Sequence, residues 1–197
     1  VQQLDFTDIV HTATLIFQGR VVSVTPVAMG ERLIQTHVEF EILDVLKGDY
    51  DQARITLKYL GGRIGPRQMQ VADMTLPEPG ETGFYFVEDP AGDYVHPLVG
   101  WAQGHYLVTQ AADGREQVTT ADAQPVQAIQ SRPAEEPAGQ NDPQTDPQAN
   151  SQANQLKLSE GVAAGIVLQQ FPLLQQAMTV SEFSQRVRQI HAAGPQQ

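Results

Sequence analysis

Five histidines, His11, His37, His96, His105 and His191, are the chain's candidates for metal ligation or proton transfer. No two stand at the i, i+4 helical spacing that sets a pair of imidazoles around zinc, so a local metal signature is missing. His37, Glu39 and Glu41 do share one face of a strand-like run. A residue from a facing strand, His105 being one, would complete a metal-dependent or carboxylate-based hydrolase there. A solvated polar face is the favoured reading, and no cofactor or metal is assigned.

The loop Gly61-Gly62-Arg63-Ile64-Gly65-Pro66-Arg67 lacks the Gly-Lys-Ser/Thr ending of a phosphate loop, and the β-like Gln68 to Ala72 behind it supplies no helix N-terminus. Arg63 and Arg67 could instead grip an acidic partner by charge-assisted hydrogen bonds, against the plainer reading of a solubilising tip. Trp101, the only tryptophan, lies among glycines in Val99 to Tyr106 and either lines a contact patch or closes the end of a core. Serine chemistry has no support: no Gly-x-Ser-x-Gly elbow occurs, and Ser23 lies inside a strand. Glu88 to Asp93 departs from the calcium-loop pattern and reads as a hairpin turn. Catalytic residues are therefore not assigned.

The elements that must carry these residues are mostly strands. Leu4 to Thr14 suits a short amphipathic helix. Leu15 to Val24 alternates as a strand around Gly19, a position for a bulge. From Leu33 to Leu46, Ile34, Thr36, Val38, Phe40 and Ile42 fall on one face and Gln35, His37, Glu39 and Glu41 on the other. Extended at ~3.3 Å per residue, that run would reach roughly 46 Å, beyond the ~35 Å diameter of a domain of ~120 residues, so it must coil or break. Further strands are expected at Arg54 to Leu60, Gln68 to Ala72, Gly83 to Glu88, His105 to Thr109 and Arg115 to Thr119. Short strands without long intervening helices predict a mainly β chain built as a small barrel or sandwich, residues 1–130.

Residues 131–155 contain no Val, Ile, Leu, Met or aromatic side chain and read as a disordered Gln/Pro/Asp-rich linker. Within residues 156–197, Thr179-Val180-Ser181-Glu182 matches a capping box, and Val180, Phe183, Val187 and Ile190 form an apolar stripe expected to dock on the β domain.

The formal net charge is −11, and up to Gln130 eight Lys and Arg face seventeen Asp and Glu. Such a field repels phosphate backbones and anionic headgroups, so neither nucleic-acid nor membrane-surface binding is expected. No apolar run approaches the ~20 residues of a membrane span. Cysteine is absent, which removes disulfides and thiolate chemistry. A first residue of Val rather than Met points to a cleaved leader and an exported, periplasmic or secreted protein.

The segments TATLIFQGRVVSV (residues 12–24), IQTHVEFEILDVLKGD (34–49), RITLKYLGG (54–62), GETGFYFVED (80–89) and GWAQGHYLVT (100–109), in that order after a short helix, resemble the netrin-type, tissue-inhibitor-of-metalloproteinase-like OB-fold barrel. Val45-Leu46-Lys47-Gly48 is similar to the VxKG ending of that family's long strand. The pattern also resembles exported bacterial proteins with the same barrel. The resemblance implies an OB-like barrel that binds partners through its loops or open face. Animal inhibitors of this type act through an N-terminal Cys, which this chain lacks, so no inhibitory residue carries over. The expected function is an exported, non-enzymatic binding or accessory module for a protein partner, contacting it through Arg63, Arg67 and Trp101. The alternatives are the hydrolase above and a structural component of an envelope assembly.

Overall fold

The two longest strands, β1 (Leu15–Met29) and β2 (Leu33–Lys47), each run 15 residues, and they bend rather than overshoot the domain. The computed structural model describes residues 1–92, 94–130, 161–168 and 176–194. In it the antiparallel β1–β2 register shifts at Ile16/Phe17, Gln18/Gly19 and Val21/Ser23. Each shift is an irregularity that kinks the ribbon and increases its twist. Gly19 is required at one of them, because a Cβ there would stand 2.7 Å from the Phe17 ring and 3.1 Å from the Glu41 carbonyl oxygen.

The main sheet adds β3 (Arg54–Leu60), β6 (Thr82–Val87), β7 (His105–Gln110) and β8 (Glu116–Thr120), in the order β3-β2-β1-β6-β7-β8, with every neighbouring pair antiparallel. Two small ribbons flank it: β4 (Gly62–Ile64) with β5 (Arg67–Met69), and β9 (Val126–Ile129) with β10 (Ile166–Leu168). With α1 (Phe6–Thr12) and α2 (Val180–Ala193), the chain is mainly β with two helices, as predicted. Closure into a barrel is corrected: among the described residues the sheet stays open. The outer edges are occupied by other backbone. Leu60 N donates to Val95 O on β3, while Val118 N donates to Met178 O and Thr120 N to Gln124 O on β8.

One strand explains how a single sheet serves two cores. Phe84, Tyr85, Phe86 and Val87 of β6 are all fully buried, so β6 has no solvent face. Phe84 and Phe86 pack with Phe6, Tyr106, Phe183 and Val187 under the helices. Tyr85 and Val87 point the other way, into the curl of β1, β2 and β3, with Phe17, Phe40, Leu57 and Tyr59.

Both helices are tied to that sheet by named bonds. Asp5 caps α1, accepting from Thr7 N at 2.8 Å. At its other end Lys47 Nζ donates to the Val10 and His11 carbonyls, both at 2.8 Å. Gly48 follows with φ 94° and room for no Cβ, which would lie 2.6 Å from Thr14 O. The Lys-Gly pair that ends β2 therefore clamps the end of α1. Helix α2 carries the expected capping box between Thr179 and Glu182 and buries Phe183, Val187 and Ile190 in the helix-side core.

Residues 161–168 also pack with the β domain. Phe6 N donates to Ala164 O and Ala164 N to Leu4 O, both at 2.8 Å, and β10 pairs with β9. The linker expected at 131–155 lies outside the described residues, as do residues 156–160. The strand expected at Gln68 to Ala72 is shorter, Arg67–Met69, because it pairs only with Gly62–Ile64. No helix among the described residues is long and apolar enough to cross a membrane.

Lys47→Met keeps most of the aliphatic stem and removes both bonds to the end of α1. Hydrogen bonds to charged groups contribute about 1.5–3 kcal/mol. Urea unfolding of this variant is expected to show a lowered midpoint, with a loss of about that size and an unchanged m-value.

Candidate functional site

The sheet separates the histidines that the sequence left open to combination. On β2, Val38 and Phe40 point into the curl, so His37, Glu39 and Glu41 occupy the outer face. There His37 Nε2 meets Gln35 Oε1 at 3.0 Å, Glu39 pairs with Arg54 at 3.2 Å, and Glu41 pairs with Arg20. His105, paired with Tyr85 in the β6–β7 register, is buried on the inner side. His37 and Glu39 thus do not converge with His105, and among the described residues no group of three His, Asp or Glu is placed to hold a metal.

The polar cluster at the rim of the inner core was not legible in the sequence: the half-buried Glu81 holds it together. Its Oε1 accepts from Tyr85 Oη at 2.8 Å and lies 2.9 Å from His105 Nε2. The His105 ring stacks on Tyr85 with centroids 4.9 Å apart. Burial alone pushes the Glu81 carboxyl up. The hydrogen bond and charge of His105, the Tyr85 hydroxyl and the Glu78 N–H outweigh it, and the carboxyl titrates below its usual range. Glu81 follows the Glu78-Pro79-Gly80 turn and precedes an unbroken apolar run, so no alternation marked it as inward-facing.

His96 lies beside this cluster, its ring edge-on to Tyr59 and stacked on Trp101 at 5.2 Å and 11°. Burial, then the charge of His105, pushes its pKa down to about 3. Leu98 N donates to His96 Nδ1 at 3.2 Å, which holds that nitrogen unprotonated. Trp101 has φ 62° directly after Gly100 at φ 65°, a left-handed turn that is strained for a tryptophan by about 1–3 kcal/mol. The turn delivers the indole onto His96 as a half-buried lid, closer to the core-end reading than to an open contact patch. The space between Tyr59, His96, Leu98, Ala102 and His105 is a cavity of about 10 Å³, too small for an organic substrate.

Arg63 and Arg67 stand elsewhere, and the structure corrects their setting. The segment expected as a plain loop is a hairpin, with Ile64 opposite Arg67 and Arg63 opposite Gln68. It packs on the distal half of the β1–β2 ribbon so closely that a Cβ on Gly62 would stand 2.3 Å from Thr36 Oγ1. Arg67 Nη1 donates to Glu31 O at 3.1 Å, fastening the hairpin to the β1–β2 turn. Arg63 Nε donates to Gly65 O at 3.2 Å. Both arginines are exposed.

No protein-family model, curated protein or solved structure matches the chain.

The buried groups make stability depend on pH in two windows. His96 has a depressed folded pKa. Its share of stability is therefore present above the unfolded value of 6.5 and is lost as pH falls toward 3, because only the unfolded ring takes up the proton. Glu81, also depressed, contributes above its unfolded value near 4.5 and loses that share as pH falls further. Urea unfolding from pH 7 to 3 is expected to show both slopes. His96→Phe should flatten the first and Glu81→Gln the second, each slope being at most about 1.4 kcal/mol per pH unit.

Proposed function

We propose that this chain is an exported, non-enzymatic binding or accessory module that engages a protein partner through the end of the sheet where the β4–β5 hairpin meets the β1–β2 turn. The observation that carries this reading is the state of the arginines. Arg20, Arg54, Arg115 and Arg188 each pair with a carboxylate, Glu41, Glu39, Asp113 and Asp44 respectively. Among the described residues no carboxylate pairs with Arg32, Arg63 or Arg67. On a chain of net charge −11, an uncompensated cationic end is a place where an acidic surface gains Coulomb energy.

The hydrolase alternative has weaker support. Of the acid–base pair Glu81–His105, His105 lines a cavity of only about 10 Å³, beside His96, rather than an open cleft. Permanent assembly into an envelope structure would use the same surface and differs only in lifetime. The likeness to netrin-type barrels, whose loops bind partners, agrees with the location of the surface.

Capture from periplasm or culture medium with the immobilised protein tests the reading. The wild type is expected to retain a partner that Arg32→Ala/Arg63→Ala binds at least about tenfold more weakly, while both proteins unfold at the same urea midpoint. Equal retention by both would remove this end of the sheet from the binding surface.

A further inference from the structure

We propose that Pro26 guards the free edge of β1 against pairing with the same edge of a second copy of this chain, a role independent of the binding-module reading above. β1 pairs with β6 only from Leu15 to Arg20. One residue further the edge is still occupied, since Val21 N donates to Glu81 O at 2.8 Å and Gly80 N to Val21 O at 2.9 Å. From Val22 to Met29 the strand has β2 on one side and, among the described residues, no backbone partner on the other. In an antiparallel ladder, hydrogen-bonded and non-hydrogen-bonded pairs alternate. Pro26 stands opposite Thr36 and has no N–H to give, so that pair is of the non-hydrogen-bonded kind. The pair Ala28–Ile34 agrees, because Ile34 O is turned away from β1 and accepts from Gly61 N at 2.7 Å. Val24, Pro26 and Ala28 therefore direct their backbone groups to the open side, while Thr25 and Val27 direct theirs to β2.

The run from Val21 to Met29, VVSVTPVAM, holds four valines and no charged side chain, and Val22 and Met29 are 40% and 51% exposed. Apart from its proline it has the composition of a strand that pairs with copies of itself. Two copies related by a twofold axis at residue 26 would set Val24 of one opposite Ala28 of the other, with the two prolines meeting at the centre. There neither residue donates, and the two rings fill the space of the missing hydrogen bonds. A turn does not explain the proline, since residues 15–29 are one continuous strand. The net charge of −11 opposes association only through a diffuse field that salt screens. The block at the edge itself persists at any ionic strength.

Sedimentation of the full chain at about 300 mM salt, where charge repulsion is screened, compares the wild type with Pro26→Thr, which restores the N–H on a β-branched residue. The variant is expected to self-associate at least about tenfold more strongly than the wild type. Residue-resolved amide exchange locates the contact. In the variant, the Val24 and Ala28 amides should gain protection as protein concentration rises, and in the wild type they should not. The wild type alone tests the orientation of the edge: Val24 and Ala28 should exchange at least about tenfold faster than Thr25 and Val27. Self-association of the variant no stronger than that of the wild type, or association that leaves Val24 and Ala28 fast, would overturn the proposal. So would wild-type protein in which those two amides are the slow pair, or in which they slow with concentration.

Discussion

Everything in this fold hangs on a strand with no face to spare. Thr82 to Val87 runs through the middle of the sheet, and its side chains from Phe84 to Val87 alternate between two apolar clusters. Burying large apolar side chains contributes about 1.5–3 kcal/mol each, so neither cluster can be given up without exposing the other's wall. The helix-side cluster needs both helices: Phe6 from α1 and Phe183 from α2 meet edge-on with ring centroids 5.9 Å apart. The C-terminal helix is thus a wall of the core and not an appendage. The curl of β1 and β2 closes the second cluster from the other side.

The same arrangement decides what becomes of the polar groups inside. The half-buried Glu81 with the buried Tyr85 and His105 forms a hydrogen-bonded set at the rim of the inner cluster, with His96 and Trp101 stacked beside it. Glu81 itself keeps 19% of its side chain exposed, so removing one partner leaves a half-buried carboxylate to be compensated in part by water. Reactive in type, these groups are occupied with one another. Among the described residues the arginines without a carboxylate partner, Arg32, Arg63 and Arg67, lie instead at the far end of the β1–β2 ribbon, where two hairpins are joined by Arg67. The inner cluster fixes the ribbon's curl, and the ribbon carries the tip that meets solvent.

What the sequence made legible followed from periodicity. Ile34 to Ile42 alternates cleanly, which located β2 and its polar outer face. Comparing its extended length with the domain's diameter foretold bending, which the register shifts near Gly19 supply. The stripe Val180 to Ile190 with its capping box located α2 and its buried face. Closure was not legible, because it depends on what else covers the edges of β3 and β8, and those contacts come from Val95, Gln124 and Met178. Glu81 was hidden because β6, buried on both faces, shows an apolar run with no alternation. The β9–β10 pair was missed because Val126–Ile129 and Ile166–Leu168 are short and distant in sequence. Arg63 and Arg67 were visible as cations in an acidic chain, but their placement on the β1–β2 ribbon required the pairing of two hairpins.

Native-state amide hydrogen exchange measures the two-sided role of β6 most directly. Amides of Phe84 to Val87 and those of Val187 to Ile190 in α2 should exchange only through global unfolding, with one common free energy that equals the value from urea. Exchange of the α2 amides by a separate, much cheaper opening while β6 stays protected would contradict a core that both helices and the sheet build together.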